Sequence, residues 1–333
     1  MVPESWPPSA RSQLLELLKR ADESLTDELA VAWNGEVHEW RSERSGQPIQ
    51  TMCVTKSVVG LVVGRLLTLG KLKSIDVPVH TFFAEWRQGR KAGITVRMLM
   101  EHTSGLQNVP LTTAEIQPSP DIVQLALAAE LSADPGSVYS YNNKAVNLLA
   151  GIVERADGRK LVDFAREELL RPLGIADSEW LRDDAGNPHA MSGLALHAVD
   201  LVRIGQLLLN RGRWQGEQLI AGSGFAAMDN LGDDERESAL MWWHVHDAQL
   251  TISEEHVEVL RDSDAELSLT GFFESNTGVH PSPMKLFVAA RSHGTRRPTL
   301  LTMRRTHRRA NDRRDGHQSR PASTWLSESQ FSF

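Results

Sequence analysis

One thiol and one amine in this sequence have the spacing of a catalytic pair. Cys53, the only cysteine, is followed three positions later by Lys56, at the start of a long apolar segment that stops at Gly70. The spacing of the apolar residues predicts a buried helix, on which residues three apart share a face. The helix N-terminus and the ammonium both favour an anion. We therefore expect a thiolate at Cys53, with a pKa below the usual value of about 8.5.

A structural interpretation of the same two residues competes with the catalytic one. A buried cysteine acting as a small apolar residue beside an ordinary lysine would also fit, and the C-x-x-K spacing alone favours that interpretation. Because the chain contains one cysteine, an internal disulfide and a cysteine-based zinc site are excluded. The neighbouring motifs therefore have to decide what the thiol does.

Three further segments contain motifs. VRMLMEHTSGL ends in a His-Thr-Ser-Gly-Leu run that begins at His102, and PGSVYSYNNKAVNLLAGIVERADG contains Tyr141-Asn142-Asn143 before a predicted helix. Residues 192–220, SGLALHAVDLVRIGQLLLNRGRWQGEQLI, predict a helix after a turn of small residues. Asn142 or Asn143 would serve equally well as the N-cap of the predicted helix that follows them, NKAVNLLAGIVE. Within its run, His102 is interpreted as a residue that fixes a loop by hydrogen bonding rather than as the histidine of a triad.

The Cys53–Lys56 segment and these three segments resemble, in the same order, the Ser-x-x-Lys hydrolases, the family of class C β-lactamase-related and penicillin-binding-protein-like enzymes. The resemblance covers about residues 10 to 291. Cys53 stands in the place of the family's nucleophilic serine. The resemblance implies that Lys56 is the general base or proton relay, and that Tyr141 shares a proton with Lys56 and the leaving group. It also implies that Asn143 binds a substrate amide or holds Lys56.

The family places a Lys-Thr-Gly or His-x-Gly strand opposite the nucleophile, and the best match here begins at Leu269. The resemblance makes Thr270, Gly271 and Phe272 substrate-binding residues, and the N–H groups of Cys53 and Phe272 would form an oxyanion hole. Leu269 replaces a cationic or imidazole side chain, which weakens the case for a substrate carboxylate. Uncharged small-molecule esters or amides are therefore favoured over classical β-lactams as substrates.

Three interpretations of function remain open at this point. The leading one is a hydrolase that forms an acyl-enzyme at Cys53. The second is a non-catalytic binding or scaffold protein that kept the fold without the serine, and the third is an engineered substitution of an active serine. No cofactor is predicted. His244 and His246 would face the same way on a strand, but the sequence places no third ligand, so no metal is assigned.

The element order predicts an α+β fold. Strands and a long helix come first, helices fill the middle, and short strands return near the end of the chain. We expect one antiparallel sheet built from both chain ends and flanked by helices, with an inserted all-helical region beside it. In residue numbers, we predict a single domain over 1–293, with sheet parts at about 1–75 and 215–293 and the insert at about 76–214. An arginine-rich, disordered tail is predicted over 294–333.

Composition limits the partners. Nine arginines lie between residues 295 and 333, so the rest of the chain is more acidic than the net charge of −7 indicates. An acidic body repels polyanions, which argues against nucleic acid as the main ligand. The N-terminal residues have no signal-peptide pattern and no segment is long and apolar enough for a membrane span, so we expect a cytoplasmic protein without a membrane partner. The oligomeric state stays open.

Overall fold

The computed structural model describes residues 2–6, 8–23, 26–33, 36–43, 45–109 and 112–222, together with three short strands. These strands are β8 (Ser238–Ala239), β9 (Trp242–Trp243) and β10 (Phe287–Arg291). Residues 294–333, the predicted tail, lie outside the described part, so the predicted domain limits stay predictions. Among the described residues, no helix is long and apolar enough to cross a membrane.

The main sheet joins the two ends of the sequence, as predicted. Its order is β10-β1-β2, with β1 at Glu28–Trp33 and β2 at Glu36–Arg41. Both pairings are antiparallel, and Glu28 lies opposite Arg291 on one side and Arg41 on the other. Only residues 34 and 35 separate β1 from β2, in agreement with the hairpin that Asn-Gly favours. The sheet therefore depends on contacts between residues more than 250 positions apart.

The central strand β1 is covered on both faces, which explains why its sequence, ELAVAW, is almost continuously apolar. Leu29 and Val31 pack into a small cluster with helix α1 (Pro8–Glu23). Ala30 and Ala32 point the other way and belong to the large core. Helix α8 (Ala198–Leu209) lies against β1 and β10.

The helical middle packs around α2 (Val54–Thr68), whose residues are buried almost throughout. Its largest neighbour is α6 (Asn143–Asp157), which is buried from Lys144 to Val153. The shorter helices are α3 (Val96–Met100), α4 (Thr112–Glu115), α5 (Ile122–Ala128) and α7 (Leu161–Ala165), with a π-helical turn at Arg166–Leu170 and 3₁₀ turns at Val79–Thr81, Ala84–Trp86 and Arg90–Gly93.

The stretch predicted to be all helical, about 76–214, also contains three short strands, so that part of the prediction is wrong. β5 (Leu194–Leu196) lies between β3 (Ile49–Gln50) and β4 (Glu179–Trp180), antiparallel to both. A three-residue apolar run has no recognisable period, so the sequence pattern did not distinguish it from the turn before α8. This small sheet brings the residues before α8 beside the start of α2. A separate hairpin of β6 (Arg213–Trp214) and β7 (Glu217–Gln218) follows α8.

A buried carboxylate ties the main sheet to α8. Glu28 accepts hydrogen bonds from the Ser45 hydroxyl (2.5 Å) and the Ala198 N–H (2.8 Å), and its Oε1 lies 2.7 Å from Nδ1 of His197. Burial alone would raise the pKa of Glu28, but the hydrogen bonds from Ser45, Ala198 and His197 outweigh it and lower the pKa below its usual 4.5. The carboxylate at the N-terminus of α8 is also favoured by the helix dipole.

Replacing this carboxylate should cost stability in a pH-dependent way. The folded-state pKa of Glu28 is below the unfolded one, so its contribution is present above about pH 4.5 and is lost as the pH falls through the folded pKa. We expect Glu28→Gln to lower the free energy of unfolding by roughly 1–3 kcal/mol at pH 7. The deficit should shrink in urea unfolding curves recorded from pH 5 to pH 3.

Glu39→Gln is the matched control, because Glu39 lies on β2 with its carboxylate 45% exposed. Its effect should stay within about 0.5 kcal/mol. Equal losses in the two variants, or a Glu28→Gln deficit that does not change with pH, would contradict the assigned role of the buried carboxylate.

Candidate active site

Cys53 lies at the N-cap position of α2, where the chain enters the helix from a tight bend. The residue before it, Met52, has a φ of +50°, a conformation that is uncommon for a non-glycine residue and costs free energy. The first turn then closes through backbone hydrogen bonds, including one from the Lys56 N–H to the Cys53 carbonyl (3.0 Å). The thiol is partly exposed while the helix behind it is buried. The side chain of Cys53 is therefore accessible on a rigid support.

Tyr141 contacts the thiol directly. Its hydroxyl donates a hydrogen bond to Sγ of Cys53 at 3.2 Å, although the two residues lie 88 positions apart in the sequence. The Lys56 ammonium sits over the same tyrosine ring, with Nζ 4.8 Å from the ring centroid. The structure thus brings together the three residues that the sequence analysis predicted to be catalytic.

The Lys56 side chain is almost fully buried, with 3% of its surface exposed. Its Nζ donates to the carbonyl oxygen of Met191 at 2.8 Å, and the Tyr141 ring presents its negative face to the same ammonium. Taking an ammonium out of water costs several kcal/mol, so such contacts are needed to hold it. A cation is therefore fixed over the Tyr141 ring, where it favours negative charge on the phenolic oxygen or on the neighbouring sulfur.

Two threonines hold the segment 191–194, which contains the Met191 carbonyl, in place by hydrogen bonds. The N–H and the hydroxyl of Thr51 both donate to the Leu194 carbonyl at 2.7 Å, and the hydroxyl of Thr55 accepts from the Leu194 N–H at 3.1 Å. All of these groups are buried. The first turn of α2 and the segment 191–194 are therefore held in one position relative to each other.

His102 lies behind Tyr141 and is neutral. Burial first, and the Lys56 ammonium second, lower the pKa of His102 from 6.5 to about 3. Its Nδ1 accepts the Asn142 N–H at 3.1 Å, so the proton of the neutral ring is on Nε2. The imidazole ring lies 4.5 Å from the Tyr141 ring, centroid to centroid. The prediction that His102 fixes a loop agrees with this geometry.

Asn142 caps α6, so the structure decides between the two asparagines that the sequence left open. Its Oδ1 accepts the Ala145 N–H at 2.9 Å, and its Nδ2 donates to the Leu106 carbonyl at 2.7 Å. Asn108 adds a hydrogen bond to the Tyr141 carbonyl at 2.9 Å. The loop after His102 thus holds the backbone of the Tyr141-Asn142 segment in place.

A glycine allows this loop to approach its neighbour. Gly105 has a φ of +71°, and a Cβ atom on it would lie 2.4 Å from the Ala133 carbonyl oxygen. Its own carbonyl accepts the Ser132 N–H at 2.9 Å. Any larger residue would force the loop that contains Gly105 away from the segment around Ala133. The glycine of the His-Thr-Ser-Gly-Leu run is therefore a requirement of close packing.

The predicted substrate-binding residues are only partly described. Asn143 is the first residue of α6, and its Oδ1 is buried without a hydrogen-bond partner among the described residues. It does not bond to Lys56 there, and its role toward substrate stays a prediction. Thr270, Gly271 and Phe272 lie outside the described residues, as do His244 and His246. Within the described ranges, no group of His, Cys, Asp and Glu side chains could hold a metal ion.

Sequence reasoning missed the residues that position the predicted ones. The site is also supported by residues that are not defining positions of any motif, namely Thr51, Thr55, Asn108, Asn147 and the Met191 backbone. One signal was available for Asn147, because it is the only uncharged polar residue within an otherwise apolar stretch of α6, AVNLLAGIV. The others could not be found without knowing which segments are adjacent.

The comparison with protein families agrees with this geometry. A family model described as Beta-lactamase matches residues 19–233. The chain belongs to the beta-lactamase family. The family predicted from the four motifs is therefore confirmed, and the described part of this beta-lactamase-family chain has the mixture of helices and antiparallel sheet expected for the fold.

Individual relatives have several names. Esterase EstB from Burkholderia gladioli is 32% identical over 144 residues, covering 37% of this chain and 36% of the esterase. A D-aminopeptidase from Brucella canis is 26% identical over 214 residues, covering 59% of this chain and 40% of the relative. This beta-lactamase-family chain thus spans well under half the length of these two relatives.

A solved structure has a similar fold. The penicillin binding protein from Bacillus halodurans superimposes with a TM-score of 0.53 at 15% identity, covering 68% of this chain and 83% of that one. At this level of identity the similarity concerns the fold alone.

Protonation of His102 should destabilise the folded state in acid. The pKa of His102 is about 3 in the folded state and near 6.5 in the unfolded state. The stability that depends on the neutral ring is therefore fully present above pH 6.5 and is lost as the pH falls toward 3. We expect His102→Gln to be less stable than the parent at pH 7, and the gap to narrow below pH 6.5 because glutamine does not titrate. Denaturant unfolding across this pH range measures the difference in free energy of unfolding between the parent and the variant. His80→Gln controls for losing a partly exposed imidazole, and a gap independent of pH would refute the assignment.

The Tyr141 hydroxyl should increase the reactivity of the thiol. A hydrogen bond to Sγ stabilises a thiolate, so Tyr141→Phe is expected to raise the pH midpoint of Cys53 alkylation by iodoacetamide. At neutral pH the alkylation rate should fall about 10-fold, equivalent to about 1.4 kcal/mol. Tyr139→Phe is the matched control, because Tyr139 is the only other tyrosine and its ring keeps its edge contact with His102. Identical profiles for the two variants would show that the hydroxyl does not act on the sulfur.

Proposed function

We propose that this chain is a hydrolase of small, uncharged esters or amides that works through a thioester at Cys53. The observation that carries the proposal is the hydrogen bond from Tyr141 to Sγ of Cys53 at 3.2 Å, with the buried Lys56 ammonium over the tyrosine ring. A nucleophile, a proton donor and a fixed cation are the parts that acyl transfer needs. Family membership supports the reaction class, since the relatives named above include an esterase and an aminopeptidase.

Acylation starts from a thiolate that accepts the Tyr141 hydrogen bond. Sulfur attacks the carbonyl carbon, the carbonyl π electrons move to oxygen, and a tetrahedral oxyanion forms. When this intermediate collapses, the bond to the alcohol or amine breaks, and the leaving group takes the hydroxyl proton of Tyr141. The tyrosine is left as a phenolate beside the Lys56 ammonium, which stabilises it. The product of this step is a thioester on Cys53 and the released alcohol or amine.

Deacylation uses the phenolate that acylation has produced. It removes a proton from water, and the resulting hydroxide equivalent attacks the thioester carbonyl. The carbon–sulfur bond breaks, the acid leaves, and the thiolate and the tyrosine hydroxyl are restored. One water is consumed for each ester or amide cleaved, and the charge of Lys56 does not change during the cycle. Lys56 therefore acts as a fixed electrostatic group in this scheme.

The size of sulfur is the main physical objection. A longer carbon–sulfur bond displaces the acyl carbonyl, and a misplacement of about 1 Å can cost about 10²-fold in rate. The same geometry would then acylate and stop, which is the behaviour expected of a binding protein with a reactive thiol. The decisive measurement is therefore one that separates acylation from turnover.

We expect the protein to release p-nitrophenolate from p-nitrophenyl acetate over many turnovers, and intact mass spectrometry to show a transient acetyl adduct that maps to Cys53. A β-lactam in parallel tests whether a substrate carboxylate is accepted, and no adduct is expected with it. A stable acetyl adduct without turnover, or neither adduct nor turnover in both the parent and Cys53→Ser, would contradict the hydrolase.

Lys56→Met separates the role of the ammonium from that of the thiol. Loss of the charge should lower kcat/KM by about 10²–10⁴-fold, because the phenolate of Tyr141 loses its stabilising cation. Lys144→Met is the matched control, since Lys144 is equally buried but pairs with Glu115. It should affect stability far more than kcat/KM.

A further inference from the structure

Asn147 lies in the middle of α6 and is completely buried. Its Oδ1 accepts the N–H of Met191 at 3.1 Å. The carbonyl of the same residue, Met191, accepts the Lys56 ammonium at 2.8 Å. The backbone of Met191 therefore links two helices. Its N–H is bound by Asn147 of α6, and its carbonyl binds Lys56 of α2.

We propose that Asn147 is a positioning residue that sets the location of the Lys56 ammonium by fixing the backbone at Met191. The proposal rests on the proposed function, in which Lys56 stabilises charge at Cys53 and Tyr141. Lys56 has a flexible four-carbon side chain. Its ammonium therefore takes a defined position only if the carbonyl that accepts its hydrogen bond is itself held in place. Because Tyr141 lies next to Asn142, the N-cap of α6, the helix that carries Asn147 also helps to set the position of the tyrosine.

The chemistry of this position argues that Asn147 has a role beyond core packing. Its neighbours on α6 are apolar and fully buried, and its Nδ2 is buried with no hydrogen-bond partner in the described part of the chain. An unsatisfied buried donor costs about 1–3 kcal/mol. An apolar side chain of similar shape would avoid that cost. What only the amide supplies is the acceptor for the Met191 N–H.

Other contacts hold the residues on either side of Met191, and in the described part of the chain none of these contacts involves its N–H. The His189 carbonyl accepts the Gly193 N–H at 3.0 Å and the indole N–H of Trp180 at 2.9 Å. Thr51 and Thr55 bond to Leu194, three residues after Met191. Within this turn the direction of the Met191 peptide groups is set by the hydrogen bond that its own N–H donates to Asn147. Removing the Asn147 acceptor should therefore shift the Met191 carbonyl and leave β5 in place.

The single cysteine gives a direct readout without any substrate. In Asn147→Leu and Asn147→Ala, we expect the pH midpoint of Cys53 alkylation by iodoacetamide to rise by about 0.5–1 pH unit, because a displaced ammonium stabilises the thiolate less. Both variants remove the acceptor, but they differ in side-chain volume. A similar shift in both supports positioning, whereas a shift in only one, or in neither, overturns the proposal.

Asn187→Leu is the matched control. Asn187 is also a buried asparagine, and its amide bonds to Asp121 and Asp183 rather than to the residues around Cys53. It should lower thermal stability without moving the alkylation midpoint. If Asn147→Leu does not fold, the Asn147→Ala profile against this control decides the question alone.

Steady-state kinetics with p-nitrophenyl acetate then separate this proposal from the proposed function. If both are right, Asn147→Ala lowers kcat several-fold with little change in KM. If the parent turns over and the alkylation midpoint of Asn147→Ala is unchanged, the positioning role is wrong and the hydrolase stands. If the midpoint moves but the parent does not turn over, the hydrolase is wrong and the coupling of Asn147 to the thiol stands.

Discussion

A buried ammonium, that of Lys56, is the constraint on which the rest of the site depends. An isolated ammonium in the protein interior would lose its proton or destabilise the fold by several kcal/mol, so the structure surrounds it with groups that compensate. The Met191 carbonyl and the face of the Tyr141 ring supply part of this compensation. The position of the charge then determines what its neighbours can be. His102, for example, is neutral because it is buried and because the same cation is close to it.

The fixed charge also explains why three distant segments must meet. Lys56 and Cys53 share the first turn of α2, Tyr141 precedes α6, and Met191 lies just before β5. No two of these segments are neighbours in sequence, so the site exists only when the core between α2 and α6 has formed. Under the proposed function, the reactivity of the thiol would therefore depend on tertiary structure.

The sequence allowed the local parts of this arrangement to be predicted and left the long-range parts open. The helix after Cys53, the hairpin of β1 and β2, a sheet built from both chain ends and the family were all predicted from periodicity, turn residues, element order and motifs. The strands β4 and β5 were missed because two or three residues have no period. Asn147 and Thr55 were missed for a different reason. Their importance comes from hydrogen bonds to a segment more than 40 positions away, and no local pattern records which carbonyl or N–H will be adjacent.

Several unfavourable features are concentrated within a small part of the molecule, and this follows from the same constraint. Met52 has a positive φ, the Nδ2 of Asn147 is buried without a described partner, and Lys56 is a buried charge. Each costs on the order of 1–3 kcal/mol or more, which is large compared with the net stability of a typical domain. The extensive apolar burial along α2 and α6 offsets such costs, because burying a single large aliphatic side chain contributes about 1.5–3 kcal/mol. A site assembled on surface loops would lack this stabilisation by apolar burial. The extensively buried helices α2 and α6 can therefore tolerate a strained bend, and an amide N–H group without a described partner, close to Cys53.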